Sequence, residues 1–551
     1  MRVSGLRLRV ANPFWLLASA ALALVVLAPV ASLAWLASGS SLAHWSELAS
    51  HVLPRAALNT AVLLAGVGVL VTLIGAGCAW LVTAYDFPGR RVFDWALLLP
   101  LAMPTYIVAF AYLDLLHPLG PVQSALRWML GLDSPRQLRL GDLRSMGGAI
   151  FLLGSVLYPY VYLTARVMFM TQPAHLLEAA RTLGAGPMGA FLRVVVPLAR
   201  PALAVGLSLA LLETLNDIGA SEFLGVNTLT VAIYTTWVTR SDLAGAAQLA
   251  MLMLLSVLGL LLLERRGRAR QRFASMQRMR PIQPRRLAGW AALTATLAVA
   301  APVAVGFAIP ALYLATEAVK RVARTGISPA LAGAALNTLL VAALVTLAAV
   351  AAGLVMAWTT RPSVTAPSVR RLWRTALARS ASVGYAVPGT VLAVGLLAPA
   401  LALDYALGDL LGHKKLLLLG SGAVLVAACT IRFVAIPLGA VEGALLRLPP
   451  ALEQAARLLG ESANRTLVRV HLPLLRPALG AGAMLVFADA MKELPATLLL
   501  RPVNFETLAT LLYAEAARGT YEEGAVAALA IVATGLVPVA LLARAQLRPG
   551  H

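Results

Sequence analysis

Five ionisable residues stand where charge is costly. Asp217, Glu222, Asp489, Lys492 and Glu493 lie at or just beyond the ends of long apolar runs. Ionisable groups in or beside a membrane segment are expensive and usually face a bundle interior or a pathway. Carboxylates there suit a hard, highly charged metal ion, through attraction or through oxygen ligation. Lys492 beside Glu493 suits a neutralising pair or a gate equally well, and both readings stay open. Other candidates for chemistry are weaker. The histidines, among them His44, His51, His117, His175 and His471, form no local ligand motif. Cys78 and Cys429 lie far apart inside apolar runs and give neither a disulfide framework nor a metal motif. Tyr158, Tyr160 and Tyr162 alternate along the chain, so helical spacing spreads them around one helix; anchoring or packing explains them better than a tyrosinate iron site. No stable metal site is expected. The chain also lacks the GxxxxGK[ST] loop that cradles nucleotide phosphates, so no ATPase or other enzymatic role is expected of it.

The elements that must position these residues are membrane helices. Of 551 residues 60% are hydrophobic and only 13% charged, against roughly 25% charged in soluble domains. Lipid therefore covers much of the surface. The apolar runs approach or exceed the roughly 20 residues a spanning helix needs, and short alternating strands of a barrel are absent. The sequence predicts an all-α integral membrane protein of about 12 spans. They are placed near 14–37, 58–84, 95–116, 146–170, 196–216 and 243–263, then 288–316, 331–358, 381–400, 416–441, 473–490 and 524–543. The opening RVSGLRLRV and the run after it imitate a signal peptide, but a retained first span is expected. The net charge of +21 invites nucleic acid. The basic residues instead gather in a few joints with no base-reading fold, so no nucleic-acid partner is expected. Their role is to set topology. With both termini cytoplasmic, the inside joints take Arg90, Arg91, the arginines of 265–286 and those of 361–379. The outside joints hold Asp217, Glu222, Asp242, Asp404, Glu522 and Glu523; Lys320, Arg321 and Arg324 run against the trend.

The chain repeats itself. The Arg- and Gln-rich stretch 265–286, broken by Pro281 and Pro284, divides a first half, 1–264, from a second, 287–551. LNT at Leu58–Thr60 returns at Leu336–Thr338, and EAARTLG at Glu178 returns as QAARLLG at Gln454, 276 residues on. Both copies continue to an aliphatic-x-aliphatic-Pro and then Arg-Pro at identical spacing. In the first copy Leu176, Leu177, Ala180 and Leu183 lie on one side at helical spacing. Gly184 can close that helix in a left-handed conformation, and a second short helix is expected over 187–194 before Pro197 opens the next span. The second copy follows the same logic around Gly460 and Pro473. Two short helices at an angle form a knob in each half. Matching positions in two six-span halves favour a docking surface for a soluble partner over a mere connector.

This double motif resembles the EAA loop of binding-protein-dependent ATP-binding-cassette importers, and the chain is similar to their fused permeases over nearly its whole length. The first copy matches at Glu178, Ala179, Ala180, Gly184, Val194, Val196 and Pro197, within a coupling loop of about 171–195. The second matches at Ala455, Ala456, Gly460, Val470, Leu472 and Pro473, within about 442–472. It departs at the acidic position, Gln454, beside which stands Glu453; that departure weakens one polar contact without removing the knob. The segments NDIGASEFLGVNTLTVAIYTTW and DAMKELPATLLLRPVNFETLAT look most like the ferric-iron branch. The resemblance implies a type I importer permease in the bacterial inner membrane, with two separate ATPase subunits that carry ATP and Mg2+ and seat on the two loops. A periplasmic iron-binding protein would deliver Fe3+ as the transported substrate, and no cofactor belongs to this chain. The route is expected between spans 3–5 and 9–11, where Pro100, Pro104 and Pro388 can break helix. The same machine carrying thiamine or another small solute is an alternative, as is an ion-coupled secondary transporter or a membrane scaffold.

Overall fold

The computed structural model describes residues 13–39, 42–138, 141–172, 174–268, 283–361, 376–377, 379–380, 383–413 and 415–547. The first twelve residues, positions 269–282 of the linker and most of the basic joint 361–379 lie outside the described residues. Eleven helices are long and apolar enough to cross a membrane, or twelve if one bent pair counts as a single span. The multi-span, all-α expectation holds; the described strand is a two-residue parallel pairing of Tyr85–Asp86 with Arg285–Arg286.

Proline shapes these helices in two ways. The pair Arg90–Ala102 and Thr105–Leu115 bends by 92°, because Pro104 holds an extended conformation at ψ 145° and caps the second helix. Elsewhere proline is absorbed. Pro54, Pro197, Pro310 and Pro473 each follow a widened helical turn, closed by an i→i−5 hydrogen bond that the amide of the residue just before the proline donates. The widened turn takes up the register that a proline without an N–H would otherwise break. The helices therefore run through these points. Pro187–Asn216 is one continuous helical segment, whereas the sequence placed a break before Pro197.

Two compact units divide the chain, residues 1–39 with 336–505 and residues 40–335 with 506–551. Each contains a three-helix core from one repeat, assembled by glycine. In one unit, Cβ atoms on Gly75 and Gly206 would lie 2.8 Å from atoms of the Met146–Met170 helix, such as Val161 Cβ and the Tyr160 carbonyl oxygen. In the other, Cβ atoms on Gly353 and Gly482 would both crowd Pro437 of the Ala435–Leu445 helix. Small residues let helix backbones approach closely in lipid, where burial alone supplies little association.

First helices are exchanged between repeats. Pro13–Ser38 packs on Gly389–Leu411, the third span of the second repeat, with the Pro29 carbonyl against Gly395. Conversely, Tyr112 of the bent third span donates to the Val305 carbonyl at 2.8 Å, and Gly306 abuts Ser155 and Pro100.

Two placements from sequence change. The third span of the second repeat begins at Gly389 rather than near 381, because Pro388 caps it. Asp404, expected in a joint, lies buried inside that helix; it accepts the Leu418 and Leu419 amides at 2.7 and 3.0 Å, which satisfies its charge. The contrary cations are paired as well: Lys320 with Glu317 at 2.7 Å, Arg321 with Glu523 at 2.8 Å and Arg324 with Glu522 at 3.2 Å.

Candidate functional site

The repeated motif builds the same object twice. Helices Ala174–Thr182 and Pro450–Leu458 both end on a left-handed glycine, Gly184 at φ 84° and Gly460 at φ 83°. In the first, the Leu183 amide donates to the Ala179 carbonyl at 3.1 Å and the Ala185 amide to Ala180 at 3.0 Å. In the second, Leu459 donates to Ala455 and Glu461 to Ala456, each at 3.0 Å. The Ala185 and Glu461 bonds, which reach back over a left-handed residue to the carbonyl five positions earlier, are the 6→1 bond of the Schellman motif. The motif's alanines thus supply the carbonyls that turn the chain.

Side chains divide clearly around that turn. Leu177 and Ala456 are buried, whereas Ala179, Ala455, Glu178 and Gln454 are exposed. Leu183 does not join the buried side as expected. It lies in the turn, past the last helical residue, and is 88% exposed. Leu459, its counterpart, is 84% exposed, and Leu192 and Val468 form a second exposed pair at matching positions. Val194, Pro197 and Val470 are half-buried and Pro473 is exposed along the helix that leaves each knob.

The two knobs are braced differently. Trp80 and Trp358 occupy equivalent places at the ends of the long second spans. Trp80 packs on Phe191 at 5.3 Å and Phe169 at 5.8 Å, an all-aromatic bracket. Trp358 instead meets buried His471 at 5.0 Å and the Arg361 guanidinium 3.3 Å above its ring. Arg361 also holds Glu453 at 3.1 Å. Glu453 therefore turns inward to an arginine and does not replace the acid missing at Gln454.

At the far ends of the spans that leave the knobs, the repeat continues in the carboxylates. Asp217 and Glu493 are 276 residues apart, the spacing of the motif itself, and both are buried. Asp217 accepts from Thr105 Oγ1 at 2.6 Å, the Ser221 amide at 2.7 Å and Ser221 Oγ at 2.9 Å. Glu493 accepts from the Ala496 and Thr497 amides and Thr497 Oγ1 at 2.8–3.0 Å, and from Arg432 Nη1 at 3.1 Å. Each carboxylate closes a tight turn by binding the residue four positions on. Burial pushes the Asp217 carboxyl up, and the hydrogen bonds from Thr105 and Ser221 pull against it. Lys492 pairs with Asp489 at 2.9 Å, one helical turn back, rather than with its neighbour Glu493, which points to Arg432.

Glu222, half-buried, has a different setting. It accepts a hydrogen bond from the Tyr513 hydroxyl at 2.5 Å, and burial pushes its carboxyl up against the pull of that phenol. Asp217 and Glu222 belong to one unit, and Asp489, Lys492 and Glu493 to the other. Sequence reasoning missed Thr105, Arg432, Trp80, Trp358 and Tyr513. The tryptophans carried a signal through their matching distance from the two LNT landmarks, and Tyr513 through a spacing from Thr507 that Tyr234 repeats from Thr228. Among the described residues no cluster of three or more His, Cys, Asp or Glu could hold a metal ion.

A multi-span helical protein with a duplicated membrane core and a duplicated surface knob is a two-half membrane permease. The chain belongs to the family of binding-protein-dependent transport system inner membrane components, which matches residues 68–268 and again 349–549. It is accordingly the permease component of an ABC-type importer, a transport subunit and not an enzyme. It is 24% identical to the Fe(3+)-transport system permease protein FbpB 2 of Haemophilus influenzae over 88% of each chain. It is 28% identical to the probable ABC transporter permease protein y4fN of Sinorhizobium fredii over 84% of this chain and 82% of that one. A putative 2-aminoethylphosphonate transport system permease protein, PhnU of Salmonella paratyphi A, is 30% identical over 36% of this chain and 68% of its own.

Proposed function

We propose that this chain forms the translocation pathway of an inner-membrane importer for ferric iron, with two halves, 1–264 and 287–551, joined by a cytoplasmic linker at 265–286. Two separate ATPase subunits, which bind ATP and Mg2+, seat on the loops 171–195 and 442–472. Both termini lie in the cytoplasm, and a periplasmic binding protein presents iron at the other face. The observation that carries the coupling role is the recurrence of an exposed leucine before a left-handed glycine, Leu183-Gly184 and Leu459-Gly460, on two otherwise differently braced knobs. Single exposed leucines are common, so the support is the recurrence at matched positions of both knobs, with Leu192 and Val468 exposed as a second matched pair. ATP binding draws the ATPases together and turns the halves from inward- to outward-open, and hydrolysis resets them. Coupling of this kind requires two global states with different partner contacts.

The iron reading is supported by the overlap with a ferric-iron permease over 88% of each chain. In vesicles containing the permease, its ATPases and the binding protein, ATP-dependent uptake of ferric iron is expected, with no uptake of thiamine or 2-aminoethylphosphonate. Entry of either organic solute without iron would defeat the cargo assignment and leave the importer architecture standing.

A further inference from the structure

Tyr234 and Tyr513 hold the same place in the two repeats. Each is the sixth residue after a threonine, Thr228 or Thr507, whose hydroxyl caps its helix by accepting the amide three residues on. Their rings meet at 6.5 Å and 79°. Both lie in one compact unit, so this contact is a place where the two repeats meet, and transporter cargo sites form at repeat interfaces. Glu222 of the first repeat joins this contact through Tyr513. Phe223 stacks on the Tyr513 ring at 5.5 Å, which fixes the direction of its hydroxyl. One carboxylate and two phenols thus converge where the two repeats meet within that unit.

We propose that Glu222, Tyr513 and Tyr234 form a transient oxygen-donor site for a trivalent cation on its way through the permease. The inference rests on the ferric-iron reading above and deepens it. A carboxylate and a phenolate are hard anionic donors that suit a small, highly charged ion. When the cation arrives, the Tyr513 O–H bond breaks, a metal–oxygen bond forms and the proton leaves to water; no electron is transferred. Glu222, released from the phenol, gives its oxygens to the same ion. The Tyr234 hydroxyl keeps its proton and donates an oxygen lone pair as a neutral phenol, and water or the accompanying anion fills the remaining positions, so the ion is held loosely enough to move on.

Tyr513→Phe removes one oxygen and keeps the ring stacked on Phe223, so a packing role would survive it. The intact permease–ATPase complex, titrated with ferric citrate, should show the visible charge-transfer band of a ferric phenolate. Tyr513→Phe and Glu222→Gln should lose that band, and their ATP-driven iron uptake should fall about 10- to 100-fold. The same band and uptake should persist in Tyr405→Phe, which alters an exposed tyrosine. Uptake and band at wild-type level in Tyr513→Phe would overturn the site and leave the cargo reading intact. A wild-type complex that carries no ferric iron at all would overturn both.

Discussion

Asp217 and Glu493 meet the same demand with different neighbours. A buried carboxylate must be hydrogen-bonded or paired, and both close a turn by accepting from the residue four positions on. The remaining lone pairs go to the neutral Thr105 hydroxyl in one repeat and to the Arg432 guanidinium in the other. This difference sets the cost of removal. Glu493→Ala takes a buried carboxylate away from the Arg432 guanidinium as well as from two amides and should destabilise by about 3–5 kcal/mol. Asp217→Ala leaves only neutral donors unsatisfied and should cost about 1–3 kcal/mol. Thermal unfolding of the detergent-purified variants checks the order, and equal losses would contradict it. Gly389 adds a second test. A Cβ there would lie 2.9 Å from both Arg432 Nη1 and Glu493 Oε1, so Gly389→Ala should push the pair apart and lower the melting temperature even though the residue carries no charge. The sequence marked both acids through their matched positions. It could not show Thr105 or Arg432, because those partners arrive from spans far away in the chain.

At the scale of the element, the knob is a short helix ended by glycine, and its exposed tip is the proposed docking surface. Nothing lies within 4 Å of a Cβ at Gly184 or Gly460, so only backbone conformation resists a side chain there. Gly184→Ala should cost about 1–2 kcal/mol locally. Gly184→Asp or Gly460→Asp, which also places charge beside the exposed leucine, should reduce ATPase copurification while membrane insertion stays intact. Leu183→Ser and Leu459→Ser leave the backbone alone and should weaken ATPase binding by about 10- to 100-fold each, the range expected for a leucine buried on docking. Titration of the ATPase onto nanodisc-held permease would measure this, and unchanged affinity in both would refute the docking surface. The glycine and its spacing were legible because left-handed closure needs that residue. The direction of Leu183 was not, since helical periodicity ceases to apply in the turn itself. Nor was the continuous helix through Pro197 and Pro473, because a widened turn leaves no mark in composition.

On the scale of the whole molecule, the sequence repeat and the compact units do not coincide. The repeat divides the chain at its middle, where a basic, proline-containing joint is visible in the sequence. The units divide it by contact, and the first helix of each repeat packs on the third span of the other. Charge and hydropathy reveal how many spans there are, but not which spans touch, since lipid-facing and helix-facing apolar surfaces have the same composition. The exchange makes a firm demand on folding. Residues 1–264 alone retain the 105–115 helix but lose the 289–325 and 521–547 helices that pack on this region, where Gly535 lies against the Ala102 carbonyl and Gly306 against that of Ser155. Those surfaces include backbone carbonyls and the Tyr112 hydroxyl, which lipid cannot satisfy. Expressed singly, each half should insert yet be degraded by membrane proteases. Co-expression as separate chains should protect both halves and restore copurification, because the exchanged helices can be supplied in trans. Pulse-chase decay of tagged halves, alone and together, gives the test. If either half proved as long-lived alone as with its partner, the exchanged helices would not be holding the molecule together.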